Sequence, residues 1–206
     1  MSTPSERTLP ETRAREKRLV AERCGLRLVI LPNALQGIGK LITHPESADL
    51  ISGVEIEPFT QWPDDRGSFG ELFRFGQDGI ARDFVAPHSN QIQVSITRSY
   101  PGVIKAIHFH CEQTDLWVPV KGMFQVFLCD LRDDSISCGR INTLFTGDLR
   151  PWKVRIPPGV AHGYKVLGPK SGQLVYATNR FYNPVDEGRI PFDDPEINYD
   201  WTGRPR

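Results

Sequence analysis

The sequence predicts an all-β fold closed into a barrel, and three observations lead to it. From Gly53 onward, short runs rich in Val, Ile, Phe and Tyr are cut roughly every 8 to 12 residues by Gly, Pro, Asp and Asn. No segment of useful length with a helical period interrupts those runs. Turn chemistry recurs between them, at DDRG, SYPG, VKGM, RDDS and IPPG. Closure into a barrel would also remove the exposed strand edges that such a chain otherwise presents.

Taken in order, residues 1–52 read as an arm. ETRAREKRLVAERC is charged with helical leanings, and GLRLVILP alternates like a strand before Pro32, so the arm is expected to be partly helical or extended. GIGK at Gly37 to Lys40 lacks the first glycine of a phosphate loop, and Leu41 stands where a magnesium-binding Ser or Thr belongs, so no such loop is expected. Residues 53–206 are expected to form the barrel. Its candidate strands are VEIEPF, GSFGELFRF, IQVSITRS, VIKAIHFH, DLWVPV, GMFQVFLCDLR, INTLFT, WKVRIP, YKVLG and LVYATNRFY, and the following RIPFDDPEINYDW is expected to be either a specificity segment or a strap over the barrel.

Bulk properties narrow the function classes. Lys and Arg balance Asp and Glu at 25 each over 206 residues, so no broad positive field invites nucleic acid or an anionic membrane. A small-molecule substrate is the better expectation. No apolar run approaches the roughly 18 residues that span a bilayer, and the first residues lack the apolar stretch of a secretion signal, so a cytoplasmic location is expected. Cys24, Cys111, Cys129 and Cys138 form no C-x-x-C pair and read as reduced thiols.

The chemistry concentrates in histidines. On the strand ending in His108-Phe109-His110, residues two apart share a face, so both imidazoles point the same way. Asp115 and Gly122 follow, and PPGVAH delivers His162 after a tight turn. His44 and His88, each beside a proline, read as solvated loop residues. This order of glycine, H-x-H, carboxylate, glycine and P-x-G-x-x-H resembles the two motifs of the cupin superfamily, which implies a double-stranded β-helix, or jelly-roll, barrel.

Further motifs sharpen the resemblance. DRGSFGE from Asp65, the Gln91 to Ser95 segment, GVIKAIH ending at His108, PGVAHG from Pro158, and Asp194-Pro195 followed by Trp201 are similar to the ordered motifs of the dTDP-4-dehydrorhamnose 3,5-epimerase family. The resemblance covers about residues 53 to 201. It implies a homodimeric enzyme that inverts a carbon beside the ketone of a nucleotide-linked 4-keto-6-deoxy sugar. By that resemblance His108 is the general base, Asp194 its supporting carboxylate and Tyr176 the acid on the other face of the ring. Arg66, Phe69 and Glu71 match positions that hold the nucleotide across a subunit boundary. Gln91, Gln93, Lys105, His110, Asp115, His162 and Tyr182 are the remaining candidates for substrate contact. The chemistry is coherent: such an inversion needs a base on one face, a donor on the other, and something to steady the enolate oxygen.

This chain also departs from the family. His110 stands where an amide is usual, Lys105 replaces an arginine, and Asp115 replaces a lysine near the oxyanion. A carboxylate in that place removes a cation worth about 3 kcal/mol. No cofactor is favoured, but His108, His110, Asp115 and His162 also make a ligand set suited to a divalent transition metal, with the spacing of metal-binding cupins. A histidine bound through its reactive nitrogen cannot also be the free base, so the two readings compete. A keto-sugar isomerase and a catalytically inactive sugar-binding cupin share the same scaffold and complete the alternatives.

Overall fold

The computed structural model describes residues 17–32, 37–74 and 91–202. Fifteen strands and no helix occur among the described residues. None of those residues belongs to a helix long and apolar enough to cross a membrane. In chain order the strands are β1 (Arg18–Arg23), β2 (Leu26–Ile30), β3 (Lys40–Ile42), β4 (Glu55–Pro58), β5 (Gln61–Asp64), β6 (Gly67–Gly70), β7 (Gln93–Ser99) and β8 (Ile104–His110). There follow β9 (Asp115–Lys121), β10 (Met123–Asp130), β11 (Ile141–Gly147), β12 (Trp152–Ile156), β13 (Val160–Leu167), β14 (Gly172–Thr178) and β15 (Glu187–Arg189).

Two sheets make the jelly roll. One has six strands in the order β15-β8-β13-β10-β11-β3, the other five in the order β4-β12-β9-β14-β7. Alternation along each strand sends one set of side chains between the sheets. Phe124, Val126 and Leu128 of β10 meet Val160, Tyr164 and Val166 of β13, together with Trp117, Val154, Ile156 and Leu174 from the facing sheet. The other faces of β8, β10 and β13 are also apolar: Ile107, Phe109, Phe127, Cys129 and Ala161 pack in a second core with Leu28, Ile30, Ile190, Ile197, Tyr199 and Trp201. Burial on both faces explains why β10 is apolar apart from Gln125 and its last residue, Asp130.

The second core defines what the arm and the strap do. The β1–β2 hairpin and the segment after β15 both cover the outer face of the six-stranded sheet. RLVAER, expected to lean toward helix, is strand β1, because pairing with β2 lets Val20 and Ala21 pack on that core. The expected boundary at residue 52 also shifts, since β3 already pairs in parallel with β11 inside the large sheet. Two further short strands, β5 and β15, lie outside the expected runs. His162 sits within β13 rather than at the end of a turn. His88 lies outside the described residues, and His44 is exposed beside Thr43, as a loop histidine should be.

Candidate active site

Register sets which side chains meet between the sheets. His162 pairs with His108 and Tyr164 with Lys105, so two steps along β13 answer three along β8. This bulge puts one extra residue in β8 and brings Lys105 to the same inner face as His108, which simple alternation would forbid. Gly163 is required there, because a Cβ would come within 2.3 Å of the Ala106 Cβ. On the facing sheet Tyr176 pairs with Trp117 and Ser95, and Thr178 with Asp115 and Gln93. Trp117 belongs to the inter-sheet core, so its cross-strand partner Tyr176, and Ser95 paired with Tyr176 on the next strand, share the inner face.

The three imidazoles gather at this end of the sandwich. His162 stacks on His108 with ring centroids 5.7 Å apart and lies the same distance from His110, while Trp117 meets its edge at 5.1 Å. Their exposures differ in a way that matters: 31% of the His108 side chain remains accessible, against 9% for His110 and 4% for His162. His108 is therefore the imidazole a substrate can reach.

Each ring has its own carboxylate. Glu187 Oε1 lies 3.7 Å from His108 Nδ1 and is held by Arg189 Nε at 2.5 Å. Asp186 Oδ2 lies 3.6 Å from His110 Nδ1, and that carboxylate accepts the backbone N–H groups of Cys111, Glu112 and Gln113. Asp115 Oδ2 lies 3.5 Å from His162 Nε2, and Asp115 also accepts from Trp117 Nε1 at 3.0 Å and Gln113 Nε2 at 2.7 Å. His162 Nδ1 is 2.9 Å from the Val160 carbonyl and donates to it, which leaves Nε2 as the acceptor.

Electrostatics separate the three rings further. Burial pulls the His108 pKa below the usual histidine value against the opposing pull of Glu187. Burial lowers that of His162 more strongly, with Asp115 opposing. At His110 burial works the same way, but Asp186, Asp115 and Glu187 together prevail and hold the pKa above the usual value.

Comparison with known proteins places this arrangement. The family model for dTDP-4-dehydrorhamnose 3,5-epimerase matches residues 49–206. This chain belongs to that family. It is an isomerase of the nucleotide-sugar epimerase type. Among its relatives, the spore coat polysaccharide biosynthesis protein SpsL of Bacillus subtilis is 42% identical over 155 residues, covering 74% of this chain and 97% of that protein. The probable low-salt glycan biosynthesis epimerase Agl13 of Haloferax volcanii is 36% identical over 155 residues, covering 74% of this chain and 95% of its own. Among solved structures, NovW, a 4-keto-6-deoxy sugar epimerase from the novobiocin biosynthetic gene cluster of Streptomyces spheroides, superposes with a TM-score of 0.63 at 25% identity, covering 83% of this chain and 84% of that one.

Within this epimerase-family chain, the expected site residues divide. His108, His110, His162, Asp115, Lys105 and Tyr176 come together between the sheets. Lys105 Nζ donates to Thr97 Oγ1 at 2.6 Å, linking the two sheets. Gln93 sits at the start of β7, where Nε2 donates to Ser95 Oγ and Oε1 accepts from the Tyr182 backbone N–H. The Tyr182 side chain is exposed, and Gln91 lies just before β7.

Asp194 is the correction. Instead of supporting His108, its carboxylate pairs with Arg18 Nη2 at 2.7 Å and accepts the backbone N–H groups of Glu196 and Ile197. The turn after Pro191 needs those bonds to begin the strap, and the arm supplies the countercharge, so the Asp194 oxygens are committed elsewhere. The four-ligand metal set is corrected too: donor atoms of His110, Asp115 and His162 lie within 4.8 Å of one another, and His108 is not among them.

Arg66, Phe69 and Glu71 lie on or beside the β5–β6 ribbon, which pairs with neither large sheet. Their contacts are with Asp64, Trp62 and Arg74 respectively. Sequence reasoning missed Asp186, Glu187 and Gln113. The adjacent acids of VDEGR were a visible signal, but only pairing with β8 turns them toward the imidazoles.

Proposed function

We propose that this chain inverts a carbon beside the ketone of a nucleotide-linked 4-keto-6-deoxy sugar, at C3, C5 or both, with His108 as the base. The observation that carries this reading is that His108 alone of the three stacked imidazoles stays accessible while a carboxylate sits at its Nδ1. With Nδ1–H turned to Glu187, Nε2 is the free proton acceptor, and Glu187 stabilises the imidazolium that forms. Glu187 thus takes the supporting role that family resemblance gave to Asp194. Tyr176, on the inner face of the facing sheet, donates the proton from the other side of the ring. Lys105, brought inward by the bulge, offers a positive charge to the developing enolate.

Arg66 and Phe69 suit a diphosphate and a base that stacks on an aromatic ring. Their position on a ribbon outside both large sheets favours nucleotide binding across the boundary of a homodimer. An activated nucleotide sugar as substrate fits a cytoplasmic enzyme. The proposed reaction draws only on side chains of this protein.

Incubation with dTDP-4-keto-6-deoxyglucose in deuterated water tests the reading. Deuterium entering at C3 or C5 with inversion is the expected result. A ketone that migrates instead makes the protein a keto-sugar isomerase, and binding without exchange makes it a sugar-binding cupin. Either outcome overturns the proposal.

A further inference from the structure

We infer that Arg189 receives the diphosphate of the substrate and, because it also holds Glu187, ties the seating of that anion to the readiness of the base His108. The inference deepens the epimerase reading above and rests on it for the identity of the anion.

β15 is an edge strand of the six-stranded sheet, paired with β8 alone among the described strands. Within it Glu187 lies opposite His110 and Arg189 opposite His108. Cross-strand partners share a face, so Glu187 and Arg189 project on the side of the imidazoles. Gly188 takes the other side against Phe109, where a Cβ would come within 2.0 Å of the ring. A larger residue there would lift β15 off β8 and carry both charged neighbours away from the histidines.

The two charges stand in different surroundings. The Glu187 side chain is 10% accessible, that of Arg189 74%. A carboxylate so covered needs a partner. Among the described residues its hydrogen bond comes from Arg189, whose Nε lies 2.5 Å from Oε1. The same oxygen stands 3.7 Å from His108 Nδ1, beyond hydrogen-bond length. One oxygen thus faces two donors, and the guanidinium has it.

The rest of Arg189 is available. Its Nη groups make no hydrogen bond among the described residues, and a guanidinium presents such groups as a fork that matches a phosphoryl group through parallel bonds. In a pyranose, C1 carries the diphosphate and is joined to C3 through C2 and to C5 through the ring oxygen. A base that reaches either carbon therefore has the phosphoryl end close by, and Arg189 is the exposed cation beside that base. Lys105, the other cation on this face, donates to Thr97. Arg66 is already assigned to the same diphosphate, whose two phosphoryl groups can each meet one guanidinium.

An anion on the Nη groups neutralises the guanidinium and weakens its hold on Glu187. Oε1 then closes on the His108 Nδ1–H, which turns Nε2 to the sugar and supports the imidazolium as the proton moves. Binding at the non-reacting end of the substrate is thereby applied at the reacting carbon.

The test follows the His108 imidazole N–H by proton NMR in the full-length protein, assigned by its loss in His108→Asn. Addition of dTDP should move the signal downfield, as a new hydrogen bond to a carboxylate does, and thymidine, which lacks the phosphates, should leave it in place. In Arg189→Gln the signal should stand downfield from the start and not respond to dTDP. With dTDP-4-keto-6-deoxyglucose as substrate, Arg189→Gln should raise KM about 10-fold or more while kcat stays within about threefold of wild type, and Arg189→Lys should recover most of the KM.

A wild-type signal that dTDP leaves unmoved, or that thymidine moves as far, overturns the inference, as does an equal response in Arg189→Gln. A lowered kcat with unchanged KM in Arg189→Gln also overturns it, leaving Arg189 as a support for Glu187 only. The dTDP response is measured on wild-type protein, so it stands even if Arg189→Gln fails to fold. Deuterium exchange is read separately: a signal moved by dTDP in protein that exchanges no deuterium sinks the epimerase reading alone, and exchange without that movement sinks the role of Arg189 alone.

Discussion

Glu187 Oε1 stands 3.7 Å from His108 Nδ1, while Asp194 is tied to Arg18 and to two backbone N–H groups. Glu187→Gln should therefore lower kcat about 10- to 100-fold with KM little changed, because the amide leaves the imidazolium unsupported only as the proton moves. His108→Asn should remove deuterium exchange altogether. Asp194→Asn should keep exchange within a few-fold of wild type but lower stability by about 1–2 kcal/mol, through the lost Arg18 pair and weakened turn bonds. Steady-state kinetics and urea unfolding on the three variants check the assignment. A kcat unaffected by Glu187→Gln but abolished by Asp194→Asn reverses it.

Tyr176 makes a sharper prediction than loss of activity. If it delivers the second proton, Tyr176→Phe leaves His108 free to remove a proton and return one from the same face. The variant should wash deuterium into the sugar without net inversion, so mass spectrometry sees exchange while NMR of the product sees the starting configuration. Full inversion by the phenylalanine variant removes Tyr176 from the mechanism.

How much of this was legible in the sequence depends on what set each feature. The inward pairing of His108 with His110 follows from strand alternation alone, and the barrel from the spacing of turns. Lys105 could not be placed that way, because the bulge opposite His162 and Tyr164 turns it inward against the simple alternation. Glu187 and Asp186 were invisible as site residues because their role comes from pairing Glu187 with His110, a contact across more than seventy positions. The segment of β1 leans toward helix in sequence for a similar reason: its charged residues favour one locally, and only the apolar outer face of the large sheet makes a strand the better solution.

Acid stability should follow Asp130. This carboxylate is fully buried and bonded to Arg132, Ser135 and Ser137. Burial opposes its ionisation, but those bonds prevail and hold its pKa below the usual carboxylate value. A depressed folded pKa means the contribution is complete above the unfolded Asp value of about 3.9 and is lost as pH falls through the lower folded value. Asp130→Asn should be less stable at neutral pH, with a shallower loss below about pH 4. Urea midpoints measured across that range decide it, and parallel acid limbs for the two proteins would rule Asp130 out.

Phe127 tests whether the strap is structural. Its ring is fully buried on the outer face of β10, 4.6 Å from the Tyr199 ring and 5.8 Å from Trp201, with Tyr199 and Trp201 themselves 4.6 Å apart. Tyr199 is fixed in turn by hydroxyl bonds to Gln125 and Thr143, and Lys165 Nζ donates to the Trp201 carbonyl. Phe127→Ala empties the centre of this aromatic group and should cost about 3–5 kcal/mol. Because the group faces away from the imidazoles, the loss should fall on stability and on protease resistance of the strap. Deuterium exchange per folded molecule should stay within a few-fold of wild type. A variant with normal unfolding but lost catalysis would instead mean that the strap shapes the site through β15, which pairs with β8 and carries Glu187.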